Sequence, residues 1–154
     1  MNVTFCKGER SNMKNTFLSK ASTTVHAPAA KVWDALINPD LIKQYLLGTQ
    51  VVCDWQVGSP IIYQGEWQGQ PYQDKGKILQ VEPEKLLVST FWSSLSGLPD
   101  VPENYKTIRY EMAAAGDNIK LTLTQDNNVT REAAHHSDEF WNKALDTLKT
   151  LVEG

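Results

Sequence analysis

The residues best suited to do chemistry in this chain are aromatic. Tyr63, Trp67, Trp92, Tyr110 and Trp141 stand in segments whose alternation or helical spacing directs them toward one interior. Tryptophan and tyrosine each combine a large apolar surface with a single polar atom, so they can enclose a small molecule and fix its orientation. The chemistry they suggest is binding of a hydrophobic or amphipathic ligand. The side chains expected to touch it are Tyr45, Trp55, Tyr63, Trp67, Trp92, Tyr110, Met112, His136 and Phe140. The competing reading is that they fill a core, and Trp33 and Trp141 are assigned to packing.

Other chemistries find little support. His135 and His136 are adjacent, so on a helix their side chains point about 100° apart and cannot chelate one metal as an i, i+4 pair does. No serine, cysteine or histidine sits in a nucleophile motif, and no glycine-rich phosphate loop follows a strand. Glu66 and Glu111 alternate with Trp67 and Tyr110, which sends both carboxylates to solvent. A tyrosine hydroxyl without a neighbouring base is a poor proton donor near neutrality. An inward carboxylate or histidine would mark an enzyme, and the alternation supplies none. No catalytic residue, metal or cofactor is therefore assigned.

The elements that must position the aromatics follow from periodicity. From Thr130 to Val152, Ala133, Ser137, Phe140, Trp141, Ala144, Leu148, Leu151 and Val152 recur at the three-and-four spacing of one helix face. Arg131, Asp138, Lys143, Asp146 and Lys149 occupy the other face, so one side of this helix requires a partner surface. Upstream, Phe17 to Ala27 reads as a strand. Pro28 opens a short helix that turns Val32, Trp33, Ala35 and Leu36 inward, and Pro39 to Leu47 forms a second. Strands are expected at Gln50–Trp55, Pro60–Trp67, Tyr72–Val81, Lys85–Trp92, Tyr105–Ala114 and Ile119–Asp126. Ser94 to Asn104, with its glycine and prolines, suits a structured loop or lid. Connections this short can join only antiparallel neighbours. The expected class is α+β: a curved antiparallel sheet of six to seven strands around a long C-terminal helix.

Composition sets the outer bounds. The 154 residues fit one domain, expected over residues 14–154 and preceded by a disordered tail over residues 1–13. A hydrophobic fraction of 41% with 21% charged residues is that of a globular protein, and a net charge of −3 without a Lys/Arg cluster argues against nucleic acid. No stretch approaches the roughly 18 apolar residues of a membrane span, and the N-terminus lacks a secretory core. The expected location is cytoplasmic, where Cys6 and Cys53 are not expected to form a disulfide.

The segments VHAPAAKVWDALINPDLIKQYL, KGKILQVEPEKLLVSTFW, YKTIRYEM and HHSDEFWNKALDTLKTLVE together carry a family likeness. They resemble the START-like (SRPBCC) helix-grip superfamily, in the branch similar to the activator of the ninety-kilodalton heat-shock chaperone's ATPase. The likeness covers nearly everything after residue 20. Two departures stand out: Tyr45 replaces a tryptophan usual at the end of the second short helix, and Gly58-Ser59 replaces a glycine pair. The resemblance implies a cavity between the curved sheet and the last helix that holds a small apolar or amphipathic molecule. It also implies a chaperone as an alternative partner, and more distantly a cyclase- or hydrolase-like enzyme using the same cavity.

Overall fold

The structure, a computed structural model, describes residues 17–154. The expected tail over residues 1–13, including Cys6, lies outside the described residues. In chain order the elements are β1 (Phe17–Val25), α1 (Ala29–Ile37), α2 (Pro39–Tyr45), β2 (Gln50–Val52), β3 (Pro60–Trp67), β4 (Gln70–Glu82), β5 (Leu86–Phe91), β6 (Lys106–Ala115), β7 (Asn118–Asn128) and α3 (Arg131–Glu153). The strands form one seven-stranded sheet in the order β1-β7-β6-β5-β4-β3-β2, antiparallel at every pairing. The sheet is curved, and α3 lies in its hollow: this is the helix-grip arrangement. Among the described residues no helix is long and apolar enough to cross a membrane.

Local chemistry sets the element ends. Thr130 caps α3, its hydroxyl accepting from Ala133 N at 3.0 Å, which satisfies one of the amides a helix start leaves open. Asn38 does the same for α2 by accepting from Asp40 N at 3.0 Å, with Pro39 at the first helical position, where no amide donor is needed. Val32, Trp33, Ala35 and Leu36 are the buried face of α1, as their spacing requires. On β6 and β7 the alternation places Tyr110 opposite Leu123 and Met112 opposite Leu121, all four buried.

The buried stripe of α3 runs through Ala134, Trp141, Ala144, Leu145, Leu148 and Val152. It is turned slightly from the expected one. Ala133 is only half-buried and Phe140 is 42% exposed, because the C-terminal half of the helix packs on the core while the N-terminal half overhangs a hollow. Each fully buried leucine in that stripe contributes about 1.5–3 kcal/mol. The helix ends on a clasp in which Glu153 accepts from Lys149 Nζ at 2.6 Å and from His26 N at 2.7 Å.

Two segments depart from expectation, the end of β2 and the middle of β4, while the Ser94–Asn104 stretch agrees with it. Strand β2 stops at Val52, and Trp55 adopts a left-handed backbone with φ of 61°. The adjacent turn is held by Asp54, which accepts from Gln56 N at 3.2 Å. The Ser94–Asn104 stretch is a structured loop containing one turn of 3-10 helix at Pro102–Asn104. Midway along β4, a Cβ at Gly76 would overlap the Thr90 carbonyl oxygen. Only glycine allows the two strands to approach so closely there. The pairing slips between Ile78 and Gln80, an irregularity of the kind that bends a strand and increases its twist.

Candidate functional site

The hollow between the sheet and the N-terminal half of α3 is a cavity of about 570 Å³. Its floor comes from β5, β6 and β7 through Leu87, Ser89, Phe91, Ile108, Tyr110 and Gln125. One wall comes from α2 and the chain after it through Ile42, Tyr45, Leu46, Val51 and Trp55, and the other from β3 and β4 through Ile61, Tyr63, Tyr72 and Asp74. Helix α3 roofs it with His136, Ser137, Phe140 and Trp141. Leu47, Trp67, Leu95 and Phe140 line it and are also solvent-exposed, so they form the rim of its mouth.

Of the nine residues expected to contact a ligand, the structure brings seven to this cavity: Tyr45, Trp55, Tyr63, Trp67, Tyr110, His136 and Phe140. Trp92 and Met112 are elsewhere. Trp92 follows Phe91, which faces the cavity, so alternation turns the indole to the other side of the sheet. There it stacks on Tyr105 at 6.5 Å, donates from Nε1 to Leu98 O at 3.2 Å and lies 5.8 Å from Lys75 Nζ. Met112 shares the inward face of β6 but belongs to the packed core.

The polar lining is mostly engaged. Tyr45 donates to Ala35 O at 2.8 Å, and the Thr49 and Tyr72 hydroxyls pair at 2.6 Å. Gln125 accepts from Trp141 Nε1 at 2.8 Å and donates to Asn128 Oδ1 and Ser137 Oγ, each at 3.3 Å. Asn128 in turn donates to Ser19 Oγ at 3.0 Å, and Ser19 donates to Ala134 O at 2.9 Å. This buried network ties α3 to β7 and β1 immediately behind the cavity. A satisfied network of this kind fixes a unique arrangement, since each member would be costly to leave unpaired.

Tyr45, Tyr63 and Tyr110 all line the cavity. Burial pushes all three phenols well above the ordinary tyrosine value. Tyr110 and Tyr63 add to the shift at Tyr45, and the Ser89 hydroxyl works against it at Tyr63. They are neutral hydroxyls at any physiological pH. Cys53, packed against the core outside the lining, also has its thiol pushed up by partial burial, so it supplies no thiolate.

One carboxylate does face inward, contrary to the sequence expectation. Asp74 lines the cavity, is 8% exposed, and accepts through Oδ1 from Ser94 N at 3.0 Å and Ser94 Oγ at 3.4 Å. The strand preceding Ile78 is polar throughout, so no apolar alternation betrayed which of its side chains point in. Glu66 is exposed as expected yet also borders the mouth, because it stands at the tip of the β3–β4 hairpin. Gln125, Ser89 and the Thr49–Tyr72 pair were likewise missed, being polar residues in or beside apolar strands.

Residues 26–153 match the family described as Activator of Hsp90 ATPase homolog 1-like protein. The chain belongs to that family. A Cytophaga hutchinsonii protein solved in solution is 42% identical, with a TM-score of 0.80 over 92% of this chain and 97% of that one. A Chromobacterium violaceum protein shares 20% identity at a TM-score of 0.70, covering 90% of this chain and 98% of that one. CalU16 from Micromonospora echinospora shares 20% at 0.65, covering 88% and 83%. The last two show likeness of fold alone. No protein of curated function matches the sequence. The Activator of Hsp90 ATPase homolog 1-like match spans both motif-bearing helices, α1 and α3, and every residue that lines the cavity.

Proposed function

We propose that this protein encloses a small hydrophobic or amphipathic molecule between its sheet and the N-terminal half of α3. The observation that carries the reading is a hollow of about 570 Å³, lined by aromatic and aliphatic side chains with a few polar atoms among them. Enclosed small-ligand sites run from about 300 to 1,000 Å³ with just this kind of lining. Trp55, Tyr63, Trp67, Tyr110 and Phe140 supply the contact area, and His136 stands at the mouth as a hydrogen-bond partner. Asp74 supplies the inward carboxylate that would mark an enzyme, but its hydrogen bonds go to Ser94 and not to a tyrosine of the lining, so the neutral phenols are read as groups that bind and orient rather than as proton donors. The reading goes with a cytoplasmic protein.

Native mass spectrometry of the protein as isolated from cells, followed by extraction, tests this. A bound organic molecule released on denaturation is expected. A bare polypeptide mass from every preparation, together with no uptake from an added panel of apolar compounds, would overturn it.

A second reading follows from family membership: association with the large heat-shock ATPase chaperone. Leu95, Leu98 and Val101 are exposed on the loop after β5 and could serve such a contact. Recovery of nothing in a pull-down with the purified chaperone would remove it.

A further inference from the structure

Most polar groups around the cavity already have partners, and the exceptions define what a ligand must offer. The Tyr45, Thr49, Tyr72 and Gln125 side chains are bonded within the protein, and Lys106 Nζ donates to Asn127 O at 3.1 Å. Two atoms differ. Tyr110 is 9% exposed, and among the described residues its hydroxyl has no hydrogen-bond partner. Asp74 receives both of its bonds from Ser94 on Oδ1, leaving Oδ2 without a donor among the described residues. No fully enclosed side-chain nitrogen or oxygen among the described residues lacks a partner. Both atoms must therefore face open space, and the space both residues line is the cavity.

Charge decides the class. Asp74 is more than nine-tenths buried and takes part in none of the ion pairs Lys75–Asp100, Arg109–Glu111, His135–Glu139 and Lys149–Glu153. None of them neutralises it. A carboxylate held in an apolar wall with no counter-charge is costly unless something cationic or donating meets it. Its neighbour across the strand pair is Tyr63, whose ring face attracts a cation. The one ammonium in the lining, Lys106, is turned to a backbone carbonyl, and Glu66 adds a second negative group at the mouth.

We propose that the cavity selects an apolar molecule whose polar end donates hydrogen bonds, a protonated amine above all, seated on Asp74 Oδ2, and that it disfavours anionic amphiphiles such as fatty acids. This rests on the binding reading above and narrows it. A protonated amine gains a charge-assisted hydrogen bond, whereas a carboxylate of equal chain length meets a like charge. Tyr110 accepts from, or donates to, a second polar atom of the ligand.

The test is a matched series of decylamine, 1-decanol and decanoate, titrated near neutral pH into the full chain and followed by tryptophan fluorescence. Decylamine is expected to bind about tenfold or more tighter than decanoate, with decanol between. Asp74→Asn, which removes the charge but keeps a hydrogen-bonding side chain, is expected to erase the advantage of decylamine over decanoate. Equal or tighter binding of decanoate by the native protein overturns the inference, as does an amine preference that survives Asp74→Asn. Should that variant not fold, the order of the three affinities in the native protein decides alone. Binding of all three without preference refutes only the choice of amine. Binding of none refutes the cavity's role as well.

Discussion

The indole of Trp141 donates to Gln125 Oε1 at 2.8 Å across the back wall of the cavity. That bond joins α3 to β7 at the depth where solid core gives way to open space. Trp141→Phe keeps the bulk but strands the Gln125 acceptor, and is expected to cost about 1–3 kcal/mol in urea unfolding. Trp141→Ala, which also leaves a void, is expected to cost about 3–5 kcal/mol.

Two tyrosines on the same cavity should respond oppositely to loss of the hydroxyl. Tyr45 donates to Ala35 O at 2.8 Å, so Tyr45→Phe is expected to lower stability by about 1 kcal/mol. The Tyr110 hydroxyl has no partner among the described residues, so Tyr110→Phe is expected to leave stability within about 0.5 kcal/mol or raise it. Thermal unfolding of the two variants side by side checks this. Equal losses would mean that Tyr110 is tied to the protein after all.

Gly76 lies where β4 crosses β5 against the Thr90 carbonyl. Gly76→Ala forces backbone apart from backbone and is expected to destabilise by about 1–3 kcal/mol. Urea unfolding measures it, and a neutral result would show that the strands have room to separate.

Acid should loosen the end of α3 first. The Lys149 ammonium, then the His26 amide, hold the Glu153 carboxyl below its ordinary range. A carboxylate lowered in the folded state contributes stability above its unfolded value, about 4.3, and loses it as pH falls through the lower folded one. The protection of the His26 amide, its exchange rate compared with that of an unstructured amide at the same pH, is expected to fall over that acidic window in the native protein. Glu153→Gln should show no such step. The same logic applies at the loop after β5, where Lys75 and then Tyr105 lower Asp100.

The fold was legible because its signals are apolar and periodic. Val32, Trp33, Ala35 and Leu36 on α1, and Ile108, Tyr110 and Met112 on β6, announce their buried faces by spacing alone, and all are buried. Where apolar residues run together the signal fades: Leu86, Leu87, Val88 and Ser89 are all buried, so the parity of β5 could not be read, and Trp92 was assigned to the wrong side. Polar strands hide their inward residues in the same way, which is why Asp74 escaped notice. Trp55 reaches the cavity through a left-handed turn rather than through continuation of β2, a route no alternation rule describes. The open space itself has no sequence signature, since residues that line a hollow and residues that fill one are of the same types.

The tryptophan indoles offer the most direct test of the cavity. Trp55, Trp67 and Trp141 line it, whereas Trp33 and Trp92 do not. In a ¹⁵N-labelled sample titrated with 1-decanol, the indole N–H resonances of the first three are expected to move with one common saturation curve while the other two stay fixed. Uniform shifts across all five, or movement confined to Trp92, would contradict the account.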